Sequence, residues 1–301
     1  MKSMNKVIEK TAKMIFLICA ITGVLAVVSI TVYMFIKGTP ALKNVGIAEL
    51  LFGNVWKPTA NPPAYGIAYI ILSSIIGTFM AVLIGIPVGL LTAVFLSELA
   101  GKKIATIVGG AVELLAAIPS VIYGLIGMMV LNPFLYKLEL LVFKNKPEHQ
   151  FTGGANLLAA IIVLAIMILP TVISISTSSL KLVPGNIKNA SFALGATKIQ
   201  TIFKVIIPAA KSGILTGVVL GIGRALGEAM AINMVAGGSV NVPLPFNSVR
   251  FLTTQLVSEM SYSSGVHRQV LFTVGLVLFI FIMIINFILL KMRRRDVMTN
   301  A

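Results

Sequence analysis

Two charged residues lie inside an otherwise uncharged apolar run, GIGRALGEAMAINM, at residues 221–234. They are Arg224 and Glu228, and their spacing of four places them on one face of a helix. Insertion scales put the cost of such a charge at mid-membrane at about 2.5–3.5 kcal/mol, so neither side chain is expected to face lipid. The guanidinium offers two parallel hydrogen bonds, a geometry that suits a phosphate or a carboxylate.

This pair has two interpretations. In the structural one, Arg224 and Glu228 form an ion pair within one helix and only hold helices together. In the functional one, they line a passage for a polar solute, as charged residues inside a membrane often do. Small residues that let helices approach closely precede them on the same stripe: Gly213, Gly217 and Gly221. The pair is therefore predicted to face the packed interior of a helix bundle or a cavity within it.

The whole chain has the composition of a membrane protein. Of its 301 residues, 57% are hydrophobic and only 11% are charged, whereas a soluble domain carries about 25% charged residues. Six stretches are long and apolar enough to cross about 30 Å of hydrocarbon. They are residues 14–36, 66–97, 104–131, 157–180, 213–236 and 270–290. The predicted fold is therefore all-α, a polytopic membrane protein with six transmembrane helices.

The distribution of Lys and Arg predicts the orientation of these helices. With a cytoplasmic N-terminus, the inner segments hold 15 basic residues and the longer outer segments hold 8. Cytoplasmic loops carry the excess of positive charge, so both termini are predicted to be cytoplasmic. The chain then divides into an N-terminus with the first helix (1–36), an outer loop (37–65), a permeation core (66–291) and a cytoplasmic tail (292–301).

Other classes of site find little support in the sequence. The net charge of +15 comes from residues scattered at membrane edges, so a nucleic-acid-binding surface is not predicted. His149 and His267 lie in different outer loops without ligand spacing, so no metal site is predicted. No catalytic residue is predicted either. The phosphate-cradling loop GxxxxGK(S/T) does not occur, so the energy for transport must come from another chain or from an ion gradient.

The longest inner connection, residues 181–212, is apolar on one side. Small and apolar residues recur there at helical spacing: Ala190, Ala193, Leu194, Ala196 and Ile199. Gly195 fits a break between two short helices. A connection inside the cell only needs to be polar, so this segment is predicted to press against another protein. That prediction favours a partner chain as the energy source.

At residues 189–208 the stretch NASFALGATKIQTIFKVIIP resembles the cytoplasmic coupling motif of ABC importer permeases. That motif begins EAAxxxG and ends with apolar residues before a proline. Ala190, Gly195 and Pro208 fall at matching positions, and Ile206 is assigned to the apolar end. Asn189 stands where the family usually has Glu, so an ion pair through that position is not predicted. Ser191 replaces the second Ala of the motif.

Three more stretches carry a finer resemblance, to the PstC family of permease subunits of phosphate-specific ABC transporters. They are ELLAAIPSVIYGL (113–125), GIGRALGEAMAINMVAG (221–237) and SSGVHRQVLFTVGLVLF (263–279). The similarity covers about residues 14–292. The sister PstA family shares the IPS and RA-GE elements, but the continuation EAMAINM is more similar to PstC. The resemblance implies the type I ABC importer permease architecture.

The resemblance also implies an activity and a set of partners. The chain would import inorganic phosphate across the plasma (inner) membrane of a prokaryote, together with a PstA-like second permease subunit, a PstB-like ATPase dimer and a PstS-like phosphate-binding protein. ATP and Mg would be used by the ATPase, and this chain would bind no cofactor. Arg224 would help to pass phosphate through the permease dimer. Glu228 would hold the guanidinium or weaken its binding of phosphate. The implied ATPase-coupling residues are Asn189, Ala190, Ser191, Gly195, Ala196, Ile206 and Pro208.

Other functions stay open at this point. The residues themselves support an oxyanion permease, whereas phosphate as the substrate follows from the resemblance. A permease for another oxyanion, an ion-coupled anion carrier without an ATPase, and a membrane scaffold stapled by Arg224 and Glu228 are the alternatives. Transport that depends on ATP and on a partner ATPase would separate a permease, for phosphate or for another oxyanion, from the ion-coupled carrier and the scaffold.

Overall fold

The structure, a computed structural model, describes residues 2–146 and 148–298. Within them, five continuous helical stretches are long and apolar enough to cross a membrane, and two helices joined at a 71° bend form a sixth candidate. The candidate spans are Glu9–Asn44, Ala68–Leu99, Ser120–Val142, Leu157–Lys181 and Gly265–Ile288, with the bent pair Lys198–Ala209 and Lys211–Gly227 as the sixth. The predicted all-α polytopic fold is thus confirmed. With the bent pair counted as one span the number is six, and an even number places both ends of the described chain on the same side.

Helix α1 (Lys2–Asn44) forms the first crossing and continues into the predicted outer loop. From residue 14 to residue 32 its side chains are almost all exposed, as expected for a helix surrounded by lipid. Its outer end packs on the last helix, α14 (Gly265–Met298), where the Thr273 hydroxyl donates a hydrogen bond to the Gly38 carbonyl at 2.8 Å. The loop that follows contains helix α2 (Ile47–Phe52) and a hairpin of strands β1 (Trp56–Lys57) and β2 (Ala64–Tyr65).

The core of the bundle forms around helix α7 (Leu157–Lys181), most of which is buried. Helix α3 (Ala68–Val94), with the π-helical turn Phe95–Leu99 at its inner end, packs along α7 through small residues. A Cβ added to Gly85 would lie 2.5 Å from Ile168 Cδ1, and one added to Gly89 would lie 2.9 Å from Val172 Cγ1. Small residues therefore let the two helices approach closely.

The third crossing differs from the prediction of a single helix over 104–131. Helix α4 (Lys102–Ala117) ends before Pro119, because the residue before a proline avoids the helical conformation. The crossing itself is Ser120–Val142, made of α5 (Ser120–Ile126), a π-helical turn (Gly127–Leu131) and α6 (Asn132–Val142). Residues 132–142, which were predicted to begin an outer loop, are thus helical.

The fifth crossing is broken twice, where the prediction had one helix over 213–236. On the inner side, α8 (Gly185–Ala193), α9 (Lys198–Thr201), a π-helical turn (Ile202–Ile206) and α10 (Ile207–Ala209) precede the bend. Helix α11 (Lys211–Gly227) then enters the membrane and ends well before the outer side. After a break at residues 228–229, the short helix α12 (Met230–Val235) completes the crossing.

The outer stretch RFLTTQLVSEM is amphipathic in sequence, a pattern that predicts a helix lying on the surface. Helix α13 (Leu252–Glu259) is present, but it is largely buried. Phe251, just before it, fills the space beside Gly77 of α3, and the Leu252 amide donates to the Ser74 hydroxyl at 2.8 Å. The prediction of a surface position was wrong because Thr253, Thr254 and Glu259 are buried and hydrogen-bonded, whereas Gln255 Nε2 is buried without a partner among the described residues. On the inner side, the last three residues of the predicted tail, 299–301, lie outside the described residues.

Candidate functional site

The glycine stripe of α11 faces α7. It consists of Gly213, Gly217 and Gly221. The side chains of α7 that meet this stripe are Ser179, Ile175 and Val172. A Cβ added to Gly221 would lie 3.0 Å from Val172 Cγ2, so the side of α11 that carries the stripe is filled by helix packing. A solute passage has to lie elsewhere around the helix.

Arg224 lies beside this packed face, near the middle of the crossing that runs from Lys211 to Val235. Its side chain is half-buried, while Leu220, Gly223 and Gly227 on the adjoining face of α11 are exposed. Tyr123 of α5 is close enough to interact electrostatically with the guanidinium. In the part of the chain that the structure describes, no carboxylate forms an ion pair with Arg224. Among the described residues, the guanidinium is thus left without an ion-pair partner.

Glu228 has a different role from the one that the i, i+4 spacing predicts. It lies beyond the end of α11 in an extended conformation, with φ −72° and ψ 127°. Its carboxylate accepts a hydrogen bond from the Ala231 amide at 3.0 Å, so it caps the start of α12. The prediction that Arg224 and Glu228 share one helical face was wrong because the helix breaks between them. A pair that staples one helix is accordingly not formed.

The break itself is held by neighbouring helices. The Thr253 hydroxyl on α13 donates to the Glu228 carbonyl at 2.7 Å, and the Ser258 hydroxyl donates to Asn233 Oδ1 at 2.9 Å. Backbone groups freed inside a membrane must find partners within the protein. Helix α5 also comes very close, because a Cβ on Gly124 would lie 2.9 Å from Ala231 Cα.

A second break lies between α4 and α5, at Ile118 and Pro119. The Tyr123 hydroxyl donates to the Leu115 carbonyl at 2.7 Å, which ties α5 to the end of α4 across Pro119. The motif AAIPS in the sequence marked this region, but it did not show that Tyr123 lies beside Arg224. Thr253 was missed as well, since a threonine in an outer loop gives no signal of a contact 25 residues away.

The inner segment 189–208 forms a compact projection. Gly195 separates α8 from α9 with φ +82°, and nothing lies within 4 Å of the place where its Cβ would be. The buried Ser191 and Thr201 hydroxyls join the two helices at 2.9 Å. The Asn189, Ala190 and Pro208 side chains are exposed, Ala196 is half-buried, and Ile206 is buried in the core.

The surface of this projection is unusually apolar for one that faces the cytoplasm. Leu194 is 89% exposed and Leu182 is 81% exposed. Phe192, Ile199 and Phe203 are exposed beside them. Exposed apolar patches on this scale mark sites of protein association. The segment thus presents an exposed apolar surface.

Two buried carboxylates organise the outer face. Glu259 accepts hydrogen bonds from the Trp56 indole at 3.0 Å and from His267 Nε2 at 2.8 Å, and it pairs with Arg250. Burial raises the pKa of the neighbouring Tyr65 phenol, so this ring stays neutral at physiological pH.

The other carboxylate, that of Glu139 on α6, is bound by His149 and by the amide and hydroxyl of Thr152. The His149 contact has a length of 2.8 Å. Glu139 is fully buried although it lies in the helix formed by residues 132–142, which were expected to begin an exposed loop. Each of the two histidines is thus engaged by a carboxylate.

The chain is similar to a known protein family and to named relatives within it. Residues 85–297 match the family described as "Binding-protein-dependent transport system inner membrane component". The chain is 39% identical over 292 residues to the probable ABC transporter permease protein YqgH of Bacillus subtilis, and the aligned region covers 93% of this chain and 90% of that protein. It is 34% identical over 246 residues to the phosphate transport system permease protein PstC of Pasteurella multocida, with 77% of this chain and 75% of that protein covered.

A PstC protein of Xylella fastidiosa is 33% identical over 289 residues, with 90% of this chain and 87% of that protein covered. These relatives confirm the resemblance that the sequence motifs indicate. A solved bacterial alginate ABC transporter shares the fold with a TM-score of 0.61 and 16% identity, over 90% of this chain and 94% of that chain. The MetNI methionine ABC transporter does so with a TM-score of 0.52 and 23% identity, over 77% of this chain and 94% of that chain.

Proposed function

The chain belongs to the family of binding-protein-dependent transport system inner membrane components, and we propose that it is the permease subunit of an ATP-driven importer of inorganic phosphate. The observation that carries the proposal is the placement of Arg224. This guanidinium lies half-buried at mid-crossing, beside a helix break and, among the described residues, without a carboxylate partner. Because a planar guanidinium binds phosphate oxygens in pairs, such a site favours an oxyanion.

The choice of phosphate among oxyanions is supported by the relatives. Proteins that are 33–34% identical to this chain are named phosphate transport system permease proteins. The basic side chains on the outer face, Lys57 among them, would attract any anion and therefore do not identify the substrate. The substrate class follows from Arg224, and the substrate itself follows from these relatives. Sulfate is the nearest competitor by shape and charge.

The partners follow from the family and from the inner surface. Members of this family transport and do not catalyse, and they work with an ATPase and a substrate-binding protein. We assign the exposed apolar surface around Leu194 to a PstB-like ATPase dimer. The exposed face of α11 beside Arg224 would meet a PstA-like second permease, and a PstS-like binding protein would deliver phosphate from outside. ATP and Mg would be used in the ATPase, with no cofactor on this chain.

The direction and place of transport complete the proposal. The chain is a multi-pass membrane protein, and we assign it to the plasma membrane of a prokaryote, with residues 189–208 on the cytoplasmic side. Binding of phosphate to Arg224 has to be weak enough to release it, because conduction requires both entry and exit. Glu228 contributes to this balance through its negative charge near the guanidinium, although the two do not pair in the structure.

The decisive test is transport by the reconstituted complex. The four proteins would be placed in vesicles, and uptake of labelled phosphate would be measured with ATP, without ATP, and with sulfate as a competitor. We expect uptake that requires ATP, the ATPase and the binding protein, and that sulfate does not compete away. Uptake by the purified chain alone, driven by an ion gradient, would establish the carrier instead. Competition by sulfate would assign a different oxyanion.

A further inference from the structure

An ion pair joins the inner end of α3 to the helix that leads into the coupling segment. Lys188 Nζ lies 2.7 Å from Glu98 Oε1. The Lys188 side chain is 23% exposed and the Glu98 side chain 10% exposed. A pair this well covered is screened little by salt, and losing one partner leaves the other charge buried and unpaired. It is therefore more than a surface contact.

The two residues belong to elements that are 90 residues apart in the chain. Glu98 lies in the π-helical turn Phe95–Leu99, where α3 ends. Lys188 lies on α8, one residue before the coupling segment 189–208. Single π-helical turns inside helices are frequently found at functional sites. The pair thus fastens α8 to the inner end of α3.

Apolar packing reinforces the same junction. Ala93 and Val94 of α3 lie in one buried cluster with Ile202 and Ile206 of the coupling segment. The Ser191 and Thr201 hydroxyls close the gap between α8 and the following turn. The coupling segment therefore rests on α3 as a single body, and a push on α8 has to act on α3.

From α3 the contacts lead to Arg224. Val172 of α7 is wedged between α3 and α11: its Cγ1 would lie 2.9 Å from a Cβ on Gly89, and its Cγ2 would lie 3.0 Å from one on Gly221. Gly221 is one turn before Arg224 on α11. Packed helices of this kind shift as units rather than deform continuously. By contrast, the covalent route through α10 passes the 71° bend, which can absorb motion.

We propose that Lys188 and Glu98 are positioning residues for transport: their ion pair transmits movement of the coupling segment to α3 and, through Val172, to the Arg224 site. The inference rests on the proposed function, since it concerns how ATP-driven movement reaches the substrate.

The test compares single and double charge changes in the reconstituted complex. Glu98→Gln, Lys188→Gln and the double reversal Glu98→Lys with Lys188→Glu would each be assayed for ATP hydrolysis and for phosphate uptake. We expect both single variants to hydrolyse ATP at nearly the original rate while phosphate moved per ATP falls about fivefold or more, the lower end of typical coupling energies. The double reversal should restore most of that ratio. Lys103→Gln changes an exposed lysine on the same side and should leave the phosphate moved per ATP unchanged.

The outcomes separate this inference from the proposed function. If the original complex does not take up phosphate with ATP, the proposed function fails. If it does, and the single variants keep the original ratio, the ion pair transmits nothing and the inference is wrong. Single variants that fail to copurify with the ATPase, without repair by the double reversal, would also contradict it, because the residues would then only maintain the fold.

Discussion

At the scale of single residues, Arg224 is defined by what surrounds it. The charge of the guanidinium acts on Tyr123, but the hydroxyl of that ring donates its hydrogen bond to the Leu115 carbonyl. On our proposal, the guanidinium donors are used by the transported anion. The type and position of this residue could be read from the sequence, because a charge in an apolar run is rare and costly. The surroundings could not, since they come from helices that are distant in the chain.

Replacing Arg224 tests its role directly. With Arg224→Gln we expect uptake to fall about 10- to 100-fold, since hydrogen bonds to a charged group contribute about 1.5–3 kcal/mol, while the complex still assembles. Arg224→Lys keeps the charge without the paired donors. The uptake of this variant should lie between that of the original protein and that of Arg224→Gln. Phosphate uptake and copurification of the four subunits would be measured together. Arg268→Gln, at an exposed arginine, is the control. Loss of assembly with normal uptake per assembled complex would show that Arg224 only maintains the structure.

At the scale of elements, breaks in the helices decide the geometry of the site. The sequence predicted the number of crossings because apolar runs of sufficient length are visible in composition. It misplaced the third crossing, because the hydropathy of residues 104–131 does not reveal the interruption at Pro119. It also missed the break at Glu228, since GRALGEAM has the composition of a helix. That break exists because the carboxylate of Glu228 and the hydroxyl of Thr253 satisfy the exposed backbone.

Thr253 supports this break and offers a mild test of it. Thr253→Val removes the hydroxyl and leaves the Glu228 carbonyl unpaired, which should destabilise the site by about 1–3 kcal/mol. We expect a lower melting temperature of the complex and slower uptake. Thr253→Ser keeps the donor and should behave like the original protein. Equal behaviour of the Val and Ser variants would mean that the hydrogen bond contributes nothing to the break.

Gly195 is the element-scale test of the coupling segment. Its φ of +82° disfavours any residue with a Cβ, although space around it is open. Gly195→Ala should therefore cost about 1–2 kcal/mol of conformational energy and tilt α8 relative to α9. We expect ATP hydrolysis to continue while uptake per ATP falls. Gly195→Asn should be milder, because Asn tolerates this conformation. Gly185→Ala, a glycine without positive φ, is the matched control, and equal effects at both positions would exclude the conformational explanation.

At the scale of the whole molecule, polar clusters fix the two faces while the membrane region packs through small residues. On the outer face, Glu259 holds the hairpin, the loop before α13 and the start of α14 together through Trp56, Arg250 and His267. On the inner face, Glu98 and Lys188 join α3 to α8. Between the faces, α13 connects the outer cluster with the break beside Arg224 through Thr253. A permease needs such rigid ends, because movement of one face has to reach a site in the middle.

The outer cluster gives a prediction about the stability of the whole assembly. Glu259→Ala leaves Arg250 and His267 without their carboxylate in a site where the three side chains are 6%, 20% and 14% exposed. Removing one partner from such a buried pair costs about 3–5 kcal/mol, so the melting temperature of the complex should fall by several degrees. In Glu259→Gln the side chain still accepts a hydrogen bond from the Trp56 indole, so the melting temperature should fall less. Glu148→Gln, at an exposed carboxylate, serves as the control. If the complexes with Glu259→Ala and with Glu148→Gln have the same melting temperature, the cluster does not hold the outer face together. The outer end of this permease would then not be made rigid by Glu259.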